Sequence, residues 1–379
     1  MRILTAGESH GEYIVAILEG FPKGVKIEEN LINQELKRRM SGAGRGKRMS
    51  LEKDKIIIAT GLRNKVSLGS PIALLVKNKD VQIFAQSADN LAPLSVPRPA
   101  HADLAGALKY GDKDIRNILE RASARETVSR VGLGSICKQF LGNFNIKAAS
   151  FTVSIGTAIA DKRPKSISEI LAKTKKSPVN SLDNGRAMLE EIEAARKDKD
   201  TLGGVVEIWV QGLPAGLGSC MHFDRRLDAK LAAAFMGIPA VKGVEIGLGF
   251  EYALLRGRES HDAIYYSRNK GFYHKANNSG GIEGGISNGA PIVARIAMKP
   301  IATLGKPLDS VNLRSKRAQK APLVRSDVCA VVACGVIAES VAAIVITEAM
   351  LEKFGCDSLS EIKTNYKNFM GAINRAPTK

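Results

Sequence analysis

The longest apolar stretch of the chain, near Ala330–Val345, limits the available folds more than any other feature. Cys334, Gly335, Glu339 and Ser340 interrupt it, and it falls short of the ~20 residues a membrane span needs. A last long helix is expected from about Gly335 to Lys353. With 44% hydrophobic and 25% charged residues over 379 positions, the chain reads as soluble and globular. That balance excludes a disordered chain, a collagen-like chain and a disulfide mini-protein. The N-terminus, Met1-Arg-Ile-Leu-Thr-Ala-Gly-Glu-Ser-His10, lacks the apolar region of a signal peptide, so the cytoplasm is the expected location. Five cysteines without a C-x-x-C pair read as buried reduced thiols rather than a metal site.

Lys+Arg number 56 against 38 Asp+Glu, a net charge of +18. This excess suits nucleic acid, an acidic membrane surface, a small polyanionic substrate or simply a solvated surface. Lysines such as Lys162, Lys165, Lys173, Lys175 and Lys176 are scattered and read as surface. The arginines instead sit beside glycine, serine and histidine in particular loops. Aromatics are only 5%, poor material for stacking bases.

Periodicity predicts strands at Arg2–Ala6, Tyr13–Glu19, Lys55–Leu62, Pro71–Lys77, Ile146–Ile159, Val205–Val210 and Pro291–Met298. Helices are expected at Glu28–Arg39 with Asn30 as N-cap, His101–Tyr110, Arg121–Phe140, Asp183–Lys197 and Phe223–Met236. Asp80–Ala100 and Gly271–Gly289 read as loops. Gly20-Phe-Pro-Lys-Gly24 is echoed by Gly212-Leu-Pro-Ala-Gly216, and Gly69-Ser-Pro-Ile72 by Gly289-Ala-Pro-Ile292. An internal duplication would explain these echoes. Chance is the rival explanation, because Gly-Pro turns are common. No low-complexity linker separates the halves, so residues 1–379 read as a single interlocked α+β domain.

Gly42-Ala-Gly44-Arg-Gly46-Lys47 satisfies neither phosphate motif it resembles. A P-loop needs glycine where Ser41 stands and Ser or Thr where Arg48 stands. A dinucleotide fingerprint follows a strand and opens a helix, whereas this segment follows a helix. What remains is a basic loop with Arg38, Arg39, Arg45, Lys47 and Arg48, open to a polyanion, to nucleic acid or to solvent.

His10, in Gly7-Glu-Ser-His-Gly11, and His101, in Arg98-Pro-Ala-His-Ala-Asp103, sit at element boundaries among small residues. Both are candidates for acid–base work. In Glu120-Arg-Ala-Ser-Ala-Arg-Glu-Thr127, Arg121, Ser123 and Arg125 gather at an expected helix start, an arrangement for phosphate or carboxylate. A helix start salt-bridged through Glu120 and Glu126 is the plainer alternative.

These segments, with Lys109-Tyr-Gly111, Ile238-Pro-Ala-Val-Lys-Gly243, Asn277-Asn-Ser-Gly-Gly-Ile-Glu-Gly-Gly-Ile-Ser-Asn-Gly289 and Arg325-Ser-Asp327, resemble the chorismate synthase family. The motifs come in family order from Gly7 to about Met350. The resemblance implies an α+β fold with helices sandwiched between antiparallel sheets, and a homotetramer. It implies a lyase of the shikimate pathway, leading to aromatic amino acids. Such an enzyme converts 5-enolpyruvylshikimate 3-phosphate to chorismate and phosphate by anti 1,4-elimination. Reduced FMN is required although there is no net redox change. NADPH serves flavin reduction in some relatives, and an external flavin reductase serves others. No separate reductase domain is apparent here, which favours the second arrangement.

By similarity, His10 donates a proton to the leaving phosphate, His101 sets the flavin protonation state and Asp327 acts on a flavin nitrogen. Arg39, Arg45, Arg98 and Arg125 match positions that hold substrate anions, and Arg39 and Arg45 also match NADPH positions. Arg121, Ala122, Ser123, Pro239, Ala240, Gly284, Lys299, Pro300, Ile301, Ala302, Thr303 and Arg325 match flavin contacts. Met40–Met49 is the expected lid. No metal is implied. The departures from the family pattern are Ala43 for tyrosine, Ala100 for glycine, Ala122 for serine, and Val328 and Val332 for prolines. A basic nucleic-acid-binding protein and a flavin oxidoreductase with net hydride transfer are the competing readings.

Overall fold

In Tyr13–Glu19, Ile14, Ala16 and Leu18 alternate with half-exposed neighbours, so one face of this strand is buried. The computed structural model describes residues 1–46, 54–79, 81, 92–160, 162–269, 271–323 and 327–373. In it, Tyr13–Glu19 lies between Arg2–Ala6 and Ile72–Lys77, and Ile56–Ile58 completes an antiparallel four-stranded sheet. A second antiparallel sheet runs in the order Val241–Ile246, Ile292–Met298, Gly204–Gln211, Lys147–Ile155, Ala158–Ile159.

Helices fill the space between the sheets, as expected. Thr127–Gly142 packs on the first sheet and Val331–Phe354 on the second, and the two helices cross. A Cβ added at Gly134 would stand 2.4 Å from Ser340 Cβ, so the crossing is backbone-close. Glu29–Met40 and Leu227–Met236 flank this pair. One buried apolar cluster draws on both sheets and on all these helices.

Val331–Phe354 is longer than its sequence suggested. By length and composition it is apolar enough to cross a membrane, yet 89% of its apolar window is buried inside the protein. Glu339, 1% exposed, lies mid-helix. It accepts from Arg38 Nη1 and Nη2 (2.8 and 2.9 Å), Lys138 Nζ (2.7 Å) and Ser150 N and Oγ (3.0 and 2.8 Å). Burial opposes its charge, but Lys138 and Arg38 hold its pKa down at about 2.

The duplication is present in the structure. The first sheet's strands Arg2–Ala6, Tyr13–Glu19, Ile72–Lys77 and Ile56–Ile58 repeat the order of Lys147–Ile155, Gly204–Gln211, Ile292–Met298 and Val241–Ile246. The turns repeat bond for bond. Ser67 Oγ donates to Pro22 O and accepts from Val25 N, and Ser287 Oγ donates to Pro214 O and accepts from Leu217 N.

Several expectations are corrected. The N-cap of the first helix is Glu28, without a side-chain cap, rather than Asn30. The Arg121 helix begins only at Thr127, after a short turn Ala124–Glu126, because Ser123 Oγ accepts from Arg125 N and caps that turn instead. Phe223–Met236 likewise opens as a tight turn, Phe223–Arg225, before the helix proper. Lys55–Leu62 holds a strand only at Ile56–Ile58, and Leu62 pairs separately in a hairpin with Ser67. Gly271–Gly289 contains the hairpin strands Gly271–His274, Ile282–Glu283 and Ile286–Ser287. Helices Ile167–Thr174 and Leu359–Ile373 were not anticipated. Most of the expected loop Asp80–Ala100 lies outside the described residues.

Candidate functional site

In each half, the connection from a sheet strand to a sandwiched helix is long: residues 78–126 in the first half and 299–330 in the second. These equivalent connections carry most of the nominated residues, and they meet. Lys299 Nζ donates to Ala100 O (2.6 Å), Ser310 Oγ to Pro97 O (2.6 Å) and Leu313 N to Ser95 O (2.8 Å). Arg98 and Pro99 face Ala302, Leu304 and Pro307 across a small pocket.

His10 is held by Glu120. Its backbone N–H donates to Glu120 Oε2 and its Nδ1 to Oε1, both at 2.8 Å. The carboxylate selects the tautomer with hydrogen on Nδ1, so Nε2 is the ring atom that exchanges a proton. Burial opposes the Glu120 charge, but the bonds and charge from His10, joined by Ser9, hold its carboxyl below the usual range.

Arg39 and Arg125 converge on buried Asp54. Arg125 Nη1 meets its carboxylate at 2.8 Å and Arg39 Nη1 at 3.7 Å. Arg39 also donates from Nε to Thr127 Oγ1 and from Nη2 to Ala124 O, both at 3.0 Å. Arg125 Nε donates to Asn78 Oδ1 (2.8 Å). Arg38 turns the other way, to Glu339, and so leaves the basic loop's expected anion set.

Arg98, His101 and Asp103 form a third group. Arg98 donates to Asp103 from its backbone N, Nε and Nη2 at 3.0, 2.8 and 3.1 Å, and His101 Nδ1 meets Asp103 Oδ1 at 2.5 Å. Burial opposes ionisation of Asp103, yet His101 and Arg98 hold its carboxyl far below the ordinary carboxylate range.

Arg45 meets Asp327 at 2.5 Å through Nη1, and Gly46 N donates to Asp327 Oδ1 (2.6 Å). Asp327 thus grips the basic loop. Gly44 O accepts from Val328 N (2.8 Å), a donor that a proline would lack. A Cβ on Gly44 would stand 2.8 Å from Cys329 Cβ, and one on Gly42 2.8 Å from Val332 Cβ, so glycine is what lets this loop lie flat. Arg45 Nε is buried with no hydrogen-bond partner among the described residues. Residues 47–49 of the expected lid, and Arg325, lie outside the described residues.

The remaining flavin candidates fall in separate places. Exposed Arg121 donates from Nη2 to Thr5 O and Oγ1, half-buried Ala122 donates its N–H to Ile118 O, and Ser123 caps the turn before the long helix. Pro239 and Ala240 adjoin Lys299, whose N donates to Ala240 O (2.9 Å). Burial, then Lys242, lowers the Lys299 ammonium from its usual range. Pro300 is exposed, Ala302 and Thr303 are half-buried, and Ile301 O accepts from Thr201 Oγ1. Gly284 lies at a hairpin tip with φ +58°, where an added Cβ would meet only Cys220 Cβ, at 4.0 Å.

Sequence reasoning missed Asp54, Asn78 and Asp103 as members of this site, and gave Glu120 only a salt-bridge role. The hint for Asp103 lies in its spacing, two residues beyond His101. Asp54 and Asn78 carry no local signal.

The comparisons agree with one another. A family model described as chorismate synthase matches residues 1–351. Chorismate synthase of Carboxydothermus hydrogenoformans is 48% identical over 381 residues, covering 98% of this chain and 99% of its own length. That of Desulforudis audaxviator is 47% identical over 389 residues, covering 99% of each. A solved structure described as a crystal structure of chorismate synthase superposes with a TM-score of 0.81 at 39% identity, covering 98% of each chain.

Proposed function

This chain belongs to the chorismate synthase family and is an enzyme of chorismate formation, and from that premise we propose that it eliminates phosphate from 5-enolpyruvylshikimate 3-phosphate in an FMN-dependent anti 1,4-elimination. The observation that carries this reading is the pairing of a carboxylate-held histidine, His10, with the neighbouring arginine pair Arg39 and Arg125. The substrate bears a phosphate and two carboxylates. Packing these anions together requires fixed positive charge, which guanidinium supplies at any working pH. Arg39, Arg45, Arg98 and Arg125 bind and orient these groups. His10 gives a proton at Nε2 to the departing phosphate, while Glu120 keeps the ring oriented.

The residues present fit a phosphate-bearing flavin. Lys299 and Arg121 offer cations and Ser123 a hydroxyl, and the backbone is left-handed at Ala240 and Gly284 with open room beside Gly284. Pro239, Ala240 and Lys299, which adjoin one another, would hold it, and the resemblance adds Arg121, Ala122, Ser123, Gly284 and Pro300 to Thr303. Reduced FMN supplies reversible one-electron chemistry without net oxidation when bound. His101, fixed by Asp103 and Arg98, holds or releases a proton beside it. Asp327 keeps the loop 41–46 down and excludes water.

The same reading carries a cytoplasmic homotetramer with neither nucleic acid nor membrane as partner, its flavin reduced by a separate enzyme. Exposed Phe223, Phe250, Leu254 and Phe272 support self-association. The test is anaerobic turnover with chemically reduced FMN, with and without added NADPH, followed by chorismate and NADPH absorbance. Chorismate without net NADPH consumption supports the lyase. Stoichiometric NADPH oxidation coupled to product replaces it with a hydride-transfer enzyme.

A further inference from the structure

Asn78 directly follows the strand Ile72–Lys77 and is 3% exposed. Each of its polar side-chain atoms is used. Nδ2 donates to Gly11 O (2.6 Å) and Glu8 O (3.2 Å), the two ends of the turn that carries His10. Its Oδ1 accepts from Arg125 Nε (2.8 Å), and its backbone N donates to Glu12 O (2.9 Å). The far end of the same guanidinium rests on Asp54. One buried amide therefore spans the segment of the histidine and an arginine of the anion group, while Glu120 orients the ring from the other side.

We propose that Asn78 is a positioning residue that sets the distance between the proton donor His10 and the anion-holding Arg125. The inference rests on the elimination reading above and deepens it. Departing phosphate must touch both groups at once, and a shift of either by an ångström costs on the order of a hundredfold in rate. An amide suits this task because it donates to carbonyls with one atom and accepts from a guanidinium with the other. A carboxylate in its place would face two carbonyl oxygens and put a second negative charge on Arg125, at the Nε end away from Asp54.

The experiment compares Asn78→Asp and Asn78→Ser with the wild type, in anaerobic steady-state turnover with reduced FMN and in thermal melts. Wild type is measured first, and its failure to form chorismate would sink the elimination reading itself. With wild type active, Asn78→Asp is expected to lower kcat by on the order of tenfold to a hundredfold. It also raises KM about tenfold, because it neutralises Arg125. Asn78→Ser is expected to lower kcat with a much smaller change in KM, because it alters position without adding charge. A folded variant of either kind with kcat and KM within about twofold of wild type overturns the proposal, whatever its melting temperature. If neither variant folds, Asn78 belongs to the scaffold and the proposal fails.

Discussion

Ala100 holds φ +63°, a left-handed conformation that costs an alanine about 1–2 kcal/mol. Glycine adopts a left-handed φ without that cost, a backbone reason for the glycine that the resemblance implies at this position. Ala100→Gly relieves that strain but frees the unfolded chain, so a net gain of about 0.5–1 kcal/mol is expected in denaturant unfolding. The position adjoins His101, and Ala100 O accepts from Lys299, so the strained residue lies at the contact between the two halves. The histidine pair makes a sharper case. Removing the ring in His10→Ala deletes the proposed proton donor, and kcat should fall about 100-fold or more. Glu120→Gln keeps the shape but loses the charge that selects the tautomer. Its kcat should fall about tenfold or more with KM little changed, measured in the same turnover assay.

Between elements, the buried charge group links three helices and a strand. Arg38 comes from Glu29–Met40, Lys138 from Thr127–Gly142, Glu339 from Val331–Phe354 and Ser150 from Lys147–Ile155. Glu339→Gln leaves two cations short of their partner and should cost about 3–5 kcal/mol. The pH dependence has a definite sign. An unfolded glutamate titrates near 4.5 and this folded one near 2, so between those values the unfolded state binds more protons. Its stabilisation is complete above about pH 4.5 and is lost as pH falls toward 2. Unfolding midpoints across that window should fall less steeply in Glu339→Gln than in wild type. Gly134→Ala tests the helix crossing. A methyl 2.4 Å from Ser340 Cβ forces the helices apart and should cost about 1–3 kcal/mol in chemical denaturation.

Across the whole molecule, two copies of one strand–helix plan face each other, and their equivalent connections meet at the site. The net charge of +18 acts at this scale. If it serves a polyanionic substrate, raising salt from about 0.05 to 0.5 M should raise KM while kcat changes little, because screening weakens encounter and binding. An unchanged KM would assign the excess charge to plain surface. Much of this plan is legible in the chain alone. Strands with period-2 burial, helices of period 3.6, the echoed Gly-Pro turns and the ordered motifs all depend on spacings within a few residues. Local spacing survives in a one-dimensional string, so the α+β class, most of the long helices and the loops of His10 and His101 follow from sequence by itself, whereas the turn at Arg125 and the helices Ile167–Thr174 and Leu359–Ile373 do not. The counter-charges do not. Glu120 lies 110 residues from His10, Asp54 lies 71 from Arg125, and Glu339 lies 301 from Arg38. Only the tertiary structure decided that Arg38 neutralises a buried glutamate while Arg39, its neighbour, faces the site. A helix turns about 100° per residue, so adjacent arginines point to different partners, and those partners exist only after the sheets have closed over the helices.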